Sequence, residues 1–386
     1  ALSGSGASIA QLLTNTTNAP IKVTYAVTPS FTNAGVTCTG TTQNVSVIVS
    51  PTPVLTVTNN AATICSPAST NITMVSPTSG AVISWTTAAV SGITGNVDGT
   101  GSSIAQTLTS TNTTPTTVSY VISITANGCT IPTQTVNVVV NPTPQVTIVN
   151  NDDSLCSGET SNIALSSTVS GTVFNWVVTA GGTTGALSGS GASIAQLLTN
   201  TTNSPITVTY AVTPSFTNAG VTCTGTTQNV SVIVSPIPVL NVVNNNPSIC
   251  SATNTNIAIS SPTSGVSLTW TTLAVANVSG NVNGSGALIN QTLVNSGTAT
   301  SAVYYTILAS ANGCVSPQNV QQVLVKPVPV GSANPAFSEI CSVDATNVVL
   351  NSTLDSTTYA WTVVANGVLG ASAGSGSTIS QTLTNP

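Results

Sequence analysis

Residues 1–60 and 186–245 of this chain are the same sequence apart from five positions, 19, 22, 52, 56 and 58 against 204, 207, 237, 241 and 243. A fixed internal period constrains a fold more than any local propensity, because each period must make one self-contained structural unit. Inside the 185-residue copy lies a shorter unit. The tryptophans Trp85, Trp176, Trp270 and Trp361 are separated by 91, 94 and 91 residues. The proline pairs Pro51/Pro53, Pro142/Pro144, Pro236/Pro238 and Pro327/Pro329 keep the same steps, and so do two cysteine series. Those series are Cys38, Cys129, Cys223, Cys314 and Cys65, Cys156, Cys250, Cys341. The unit is therefore about one small domain long. The frame predicts units at 51–141, 142–235 and 236–326. It leaves partial units at 1–50 (a C-terminal half) and 327–386 (an N-terminal half), as expected of a stretch of a longer array.

Composition narrows the chemistry. Two lysines, seven carboxylates and no histidine occur in 386 residues. Too little positive charge is present to neutralise phosphates, so no nucleic-acid partner is expected. Histidine-based acid–base catalysis is excluded. A zinc-type site would lack histidine, and the cysteines show no CxxC pairs. None of the acidic residues Asp98, Asp152, Asp153, Glu159, Glu339, Asp344 and Asp355 recurs in every unit. No cofactor, no metal and no catalytic residue are expected. No apolar run reaches membrane-spanning length, so no membrane insertion is expected of this segment.

Within 51–141, "NITMV" and "AVISWTT" alternate apolar and polar residues as half-buried strands do. "TTVSYVISIT" sets Val118, Tyr120, Ile122 and Ile124 on one face, and "QTVNVVV" sets Val136, Val138 and Val140 inward. "NGC" marks a turn. Six or seven short strands in about ninety residues, with no helical period, predict an all-β fold. The expected architecture is tandem immunoglobulin-like antiparallel β-sandwiches strung as beads on stiff proline joints. Trp85, Trp176, Trp270 and Trp361 are expected in the cores, as one large aromatic anchor per unit. Tyr25, Tyr120, Tyr210 and Tyr304 are assigned the same role on the penultimate strand. The motif GxGxxI…Q, as in "GTGSSIAQ", lacks the third glycine and the helix of a dinucleotide fingerprint. It reads as a turn feeding a strand.

Eight regularly spaced cysteines in such a sequence read as disulfides. The favoured pairing is within each unit: Cys65–Cys129, Cys156–Cys223 and Cys250–Cys314, with Cys38 and Cys341 paired outside the chain. An immunoglobulin topology sets these positions at opposite ends of a unit, which leaves open a staple between neighbours such as Cys65–Cys223.

The segments "LTNTT", "PITVTYAVTP", "CTG…QNVSVIVSPIP" and "ICS" resemble the PKD-like repeats of very large surface proteins of the Bacteroidota, including gliding-motility adhesins. The resemblance covers essentially the whole chain. It implies sandwich domains in an exported, extracellular, cell-surface protein that leaves through the type IX secretion system. "DSL" at 153–155 and "DST" at 355–357 resemble the O-glycosylation acceptor of these bacteria, which makes Ser154 and Ser356 candidate glycan sites.

Together these readings predict a non-catalytic stalk of a large secreted adhesin or filament, used for attachment or gliding. Its expected partners are further copies of itself, a surface polysaccharide or abiotic surface, and the cell-surface anchoring machinery. Lateral association follows from sheet edges that carry almost no charge. The alternative is a spacer in a secreted carbohydrate-active enzyme. A calcium-stiffened module is disfavoured because Asp152 and Asp153 fall short of a six-ligand oxygen shell.

Overall fold

Each Pro-x-Pro pair interrupts the β-structure. The strand Gln134–Asn141 stops one residue before Pro142, and the next strand, Thr147–Asn150, starts beyond Pro144. A proline cannot donate to a ladder, so no strand runs through these joints. A computed structural model describes residues 3–386 of the chain. Among them every element is a strand and there is no α-helix.

The first complete unit is a two-layer sandwich. Its larger sheet has the order Gly99–Thr100, Ala81–Thr87, Thr116–Ala126, Gln134–Asn141, Thr63–Cys65. All pairs are antiparallel except the last, where Thr63–Cys65 runs parallel to Gln134–Asn141 with Cys65 opposite Asn141. The opposite layer pairs Thr56–Asn59, Ile72–Val75 and Ser103–Ile104. A short three-stranded ribbon of Ala68–Ser69, Thr107–Ser110 and Ile93–Thr94 completes the unit. Period-2 alternation fills the space between the layers: Val118, Tyr120, Ile122 and Ile124 of one strand are all buried. Burying a side chain of this size contributes about 1.5–3 kcal/mol.

The same order recurs in the second and third units, around the strands Ile206–Asn218 and Ser301–Ala311. Three separate cores result, built round Trp85, Trp176 and Trp270. Trp361, in 327–386, is only half-buried.

The tyrosine series differs from expectation in two members: Tyr25, in 1–50, is only half-buried, and the third unit uses a different residue. Tyr305, not Tyr304, is the buried counterpart of Tyr120 and Tyr210, while Tyr304 is exposed. The cause is strand alternation: Val303, Tyr305 and Ile307 share the inward face, and the Trp-to-Tyr spacing of the third unit is that of the first. Tyr304 points outward and its hydroxyl accepts from Gln322 Nε2 at 2.8 Å.

Residues 21–49 form two antiparallel pairs, Ile21–Val27 with Gln43–Val49 and Ser30–Asn33 with Val36–Thr39. Among the described residues no second layer faces them. Val47 is 44% exposed, whereas Val232, in the same sequence setting, is fully buried.

Substitution of Trp176 by Ala should cost about 3–5 kcal/mol, read as a lowered urea midpoint. Burial pushes the Tyr305 phenol up to about 12 and raises those of Tyr120 and Tyr210 above the ordinary 10.0. A raised folded value gives stability that is complete below pH 10 and lost as pH rises toward 12. The melting temperature should therefore fall between pH 10 and 12, together with the appearance of phenolate absorbance.

Candidate functional site

The GxGxxI…Q motif builds one recurring polar network. Gln106 accepts from Val97 N at 3.1 Å and donates to Val97 O at 2.7 Å. Its Oε1 also accepts the Tyr120 hydroxyl at 3.0 Å. Trp85 Nε1 donates to the same Val97 carbonyl at 3.1 Å. Gln196 with Trp176 and Tyr210, and Gln291 with Trp270 and Tyr305, repeat this arrangement. The first motif glycine lies flat on the indole: a Cβ on Gly189 would stand 2.9 Å from Trp176 Cζ2. The motif thus locks a loop over the core tryptophan. The glutamine was missed as a functional position in the sequence, although its constant place in the motif was the available signal.

Three carboxylates, of Asp98, Glu159 and Asp344, accept hydrogen bonds from backbone N–H groups. Asp98 accepts from Thr87 N, while Ser188 and Asn283 do the same for Val178 N and Thr272 N. A role shared by Asp, Ser and Asn needs an oxygen and no charge. Glu159 accepts from Cys156 N at 2.7 Å. Asp153 takes a bond from Asn150 Nδ2, and Asp152 uses its backbone N–H toward Asn150 Oδ1. Among the described residues no cluster of three His, Cys, Asp or Glu side chains is present. Ser154 and Ser356 are exposed, the first at the start of the strand Ser154–Cys156 and the second in a turn with positive φ.

The joints are where the units concentrate their specific chemistry, and here the cysteine assignment changes. Cys65 is bonded to Cys223 and Cys156 to Cys314, each pair 158 residues apart with Cα atoms at 5.4 and 5.6 Å. The within-unit pairs Cys65–Cys129, Cys156–Cys223 and Cys250–Cys314 do not form, and Cys38, Cys129, Cys250 and Cys341 are free. The reason is strand direction. The parallel pairing of Thr63–Cys65 with Gln134–Asn141 carries Cys65 to the exit end of its unit. The hairpin bearing Cys129 lies at the entry end, a full strand length away. The equivalent hairpin of the next unit, with Cys223 on Val221–Thr224, reaches back over the joint. Cysteine bridging tolerates only Cα separations of about 4.4–6.8 Å, so the neighbour is the partner in reach.

Further bonds close the first joint. Asn141 is fully buried, and its Oδ1 accepts Asn218 Nδ2 of the next unit at 2.9 Å. Asn141 Nδ2 donates back to Asn218 O at 3.3 Å. Thr143 Oγ1, in the linker, donates to Ser66 O. Pro142, Pro144, Pro236 and Pro238 are buried, so the linkers are packed and not free spacers. The hairpin turn that points into the joint is Ala219–Gly220, with φ of 49° and 77°, the left-handed pair a tight two-residue turn requires.

Fold and joints together define a tandem array of immunoglobulin-like β-sandwiches. The chain belongs to the PKD-like domain family, whose model matches residues 62–144, 153–238 and 247–329. No curated protein matches it. Among solved structures it is similar to the Escherichia coli adhesin FdeC, at 18% identity and a TM-score of 0.32, over 70% of this chain and 96% of that one. It is similar also to human CDH23 EC21-23, at 12% identity and a TM-score of 0.35, over 68% and 96%. The ICAM-5 D1–D4 ectodomain fragment gives 11% identity and a TM-score of 0.36, over 86% and 90%.

Peptide mapping of unreduced protein should recover the cross-links 65–223 and 156–314 and none within a unit. Replacing Cys65 and Cys223 together by Ser should lower stability by about 2–5 kcal/mol, measured by denaturant titration without reductant.

Proposed function

We propose that this chain is a non-catalytic, load-bearing stretch of an extracellular stalk, part of a large adhesive surface protein. One observation carries the reading: covalent staples between neighbouring units, Cys65–Cys223 and Cys156–Cys314. Structural disulfides belong to oxidising compartments, which supports a location outside the cytoplasm. A staple across a joint adds nothing to a unit's own chemistry. It restrains how one unit turns on the next, which is useful to a spacer that must keep its reach. The resemblance to Bacteroidota surface repeats supports a bacterial surface array used for attachment or gliding, with export by the type IX system as the finer expectation.

Lateral association remains part of the proposal, with surface side chains and not backbone edges as its basis. The complete sheets end in strands of only two to four residues, such as Gly99–Thr100 and Thr63–Cys65, which offer little backbone for edge pairing. The Thr- and Ser-rich outer faces are the remaining contact surface, and a surface glycan or abiotic surface would meet them first.

Electron microscopy of the oxidised chain should reveal stiff rods at about 40 Å per complete unit. Reductant should introduce bends at the joints. Oxidised molecules that bend freely between units would overturn the stalk reading.

A further inference from the structure

The two staples do more than fasten neighbours, because of which strands they join. From Pro51 the chain runs along the first strands of unit one to Cys65, crosses to Cys223, and follows Gln228–Ser235 out of unit two. It then enters unit three and reaches Cys250. That is one covalent line through three units. A second begins at Cys129, follows Gln134–Asn141 out of unit one and enters unit two as far as Cys156. It crosses to Cys314 and leaves along Asn319–Lys326.

The lines are neighbours throughout. Thr63–Cys65 pairs in parallel with Gln134–Asn141, Ser154–Cys156 with Gln228–Ser235, and Ser248–Cys250 with Asn319–Lys326. In each pair one strand belongs to each line, and the lines exchange places from unit to unit.

We infer that the staples convert the array into a two-line covalent cable that carries tension through the first and last strands of each unit. The intervening residues, 66–222 for the first line and 157–313 for the second, hang in bypassed loops. The inference goes beyond the stalk reading and stands on strand order and disulfides, whatever the array attaches to. Lengths support it. The first line needs fourteen peptide steps from Pro51 to Cys65 and twenty-seven from Cys223 to Cys250. Fully stretched, that is about 140 Å, close to three units laid end to end at about 40 Å each. The line is nearly taut in the folded state, so pulling on it cannot draw out a unit. Parallel neighbours loaded along their length also share force over all their bonds at once instead of opening one by one.

A second consequence is tolerance of cuts. A single backbone break anywhere from 66 to 313 leaves the two pieces joined by at least one staple. Cys129 and Cys250, both free, occupy the hairpin and first-strand positions that are bonded at the two joints. They are where a further unit on either side would continue the cable.

The test uses the full chain with Cys38, Cys129 and Cys341 replaced by Ser. One handle is placed on an azide-bearing amino acid at Thr52 and the other on Cys250, and the molecule is stretched singly. Oxidised protein should stop at about 140 Å without unfolding steps, and with reductant it should extend to about 670 Å. Stepwise extension of oxidised protein well past 140 Å would overturn the inference. A protease recognition sequence inserted between Asn245 and Asn246 gives a second readout. After cleavage the chain should run as one species without reductant and as two with it. Separation without reductant would refute the cable, because only Cys156–Cys314 spans that cut.

Discussion

The parallel pairing of each unit's first strands with its last strand sets the rest of the structure. Antiparallel pairing alone would return the first strand's end toward the entry side. Parallel pairing instead places Cys65 beside Asn141, at the point where the chain leaves the unit. Asn141 O then accepts from Ser66 N at 2.9 Å, and Asn141's side chain is enclosed by the next unit's hairpin. Strand direction, joint polarity and disulfide connectivity are thus one decision. Reversing that pair would remove the other two.

Two devices divide the labour. Inside a unit, the glutamine–tryptophan–tyrosine network pins the loop that covers the core. Because none of its buried nitrogen or oxygen atoms lacks a partner, the polar atoms do not weaken the core. Between units, prolines and a disulfide fix each joint, and an asparagine pair is added at the first. The chain uses charge for neither. Asp98 is interchangeable in place with Ser188 and Asn283, which identifies the demand at that point as an acceptor oxygen. A structure held this way gains little from ion pairs, in keeping with two lysines in 386 residues.

Much of this was legible beforehand. Period, strand alternation and the proline breaks are one-dimensional signals, and Val118, Tyr120, Ile122 and Ile124 announce their shared face directly. The failures have a common origin in three-dimensional direction. The choice between Tyr304 and Tyr305 depends on which residue of an adjacent pair faces inward, and one extra position reverses it. Cysteine pairing depends on which end of a unit each cysteine reaches. Spacing is blind to that, because Cys129 and Cys223 occupy the same position in successive units. The identical sequences at Val47 and Val232 make the point about burial: strand formation is local, but the second layer must come from elsewhere in the chain.

Why the staple crosses the joint follows from what each placement would stabilise. A bridge within a unit would chiefly raise that unit's own resistance to unfolding. Each complete unit already has a core of eleven to thirteen buried apolar residues and needs no such help to be a domain. The joint is different, since interfaces between tandem domains ordinarily permit domain motion. Closing a loop of 158 residues removes about 5 kcal/mol of chain entropy from the open state in the simplest model. Spent at the joint, that free energy suppresses hinge motion where the array is otherwise weakest. It also ties the entry strand of one unit to the exit strand of the next, the two strands that an end-to-end pull would load first.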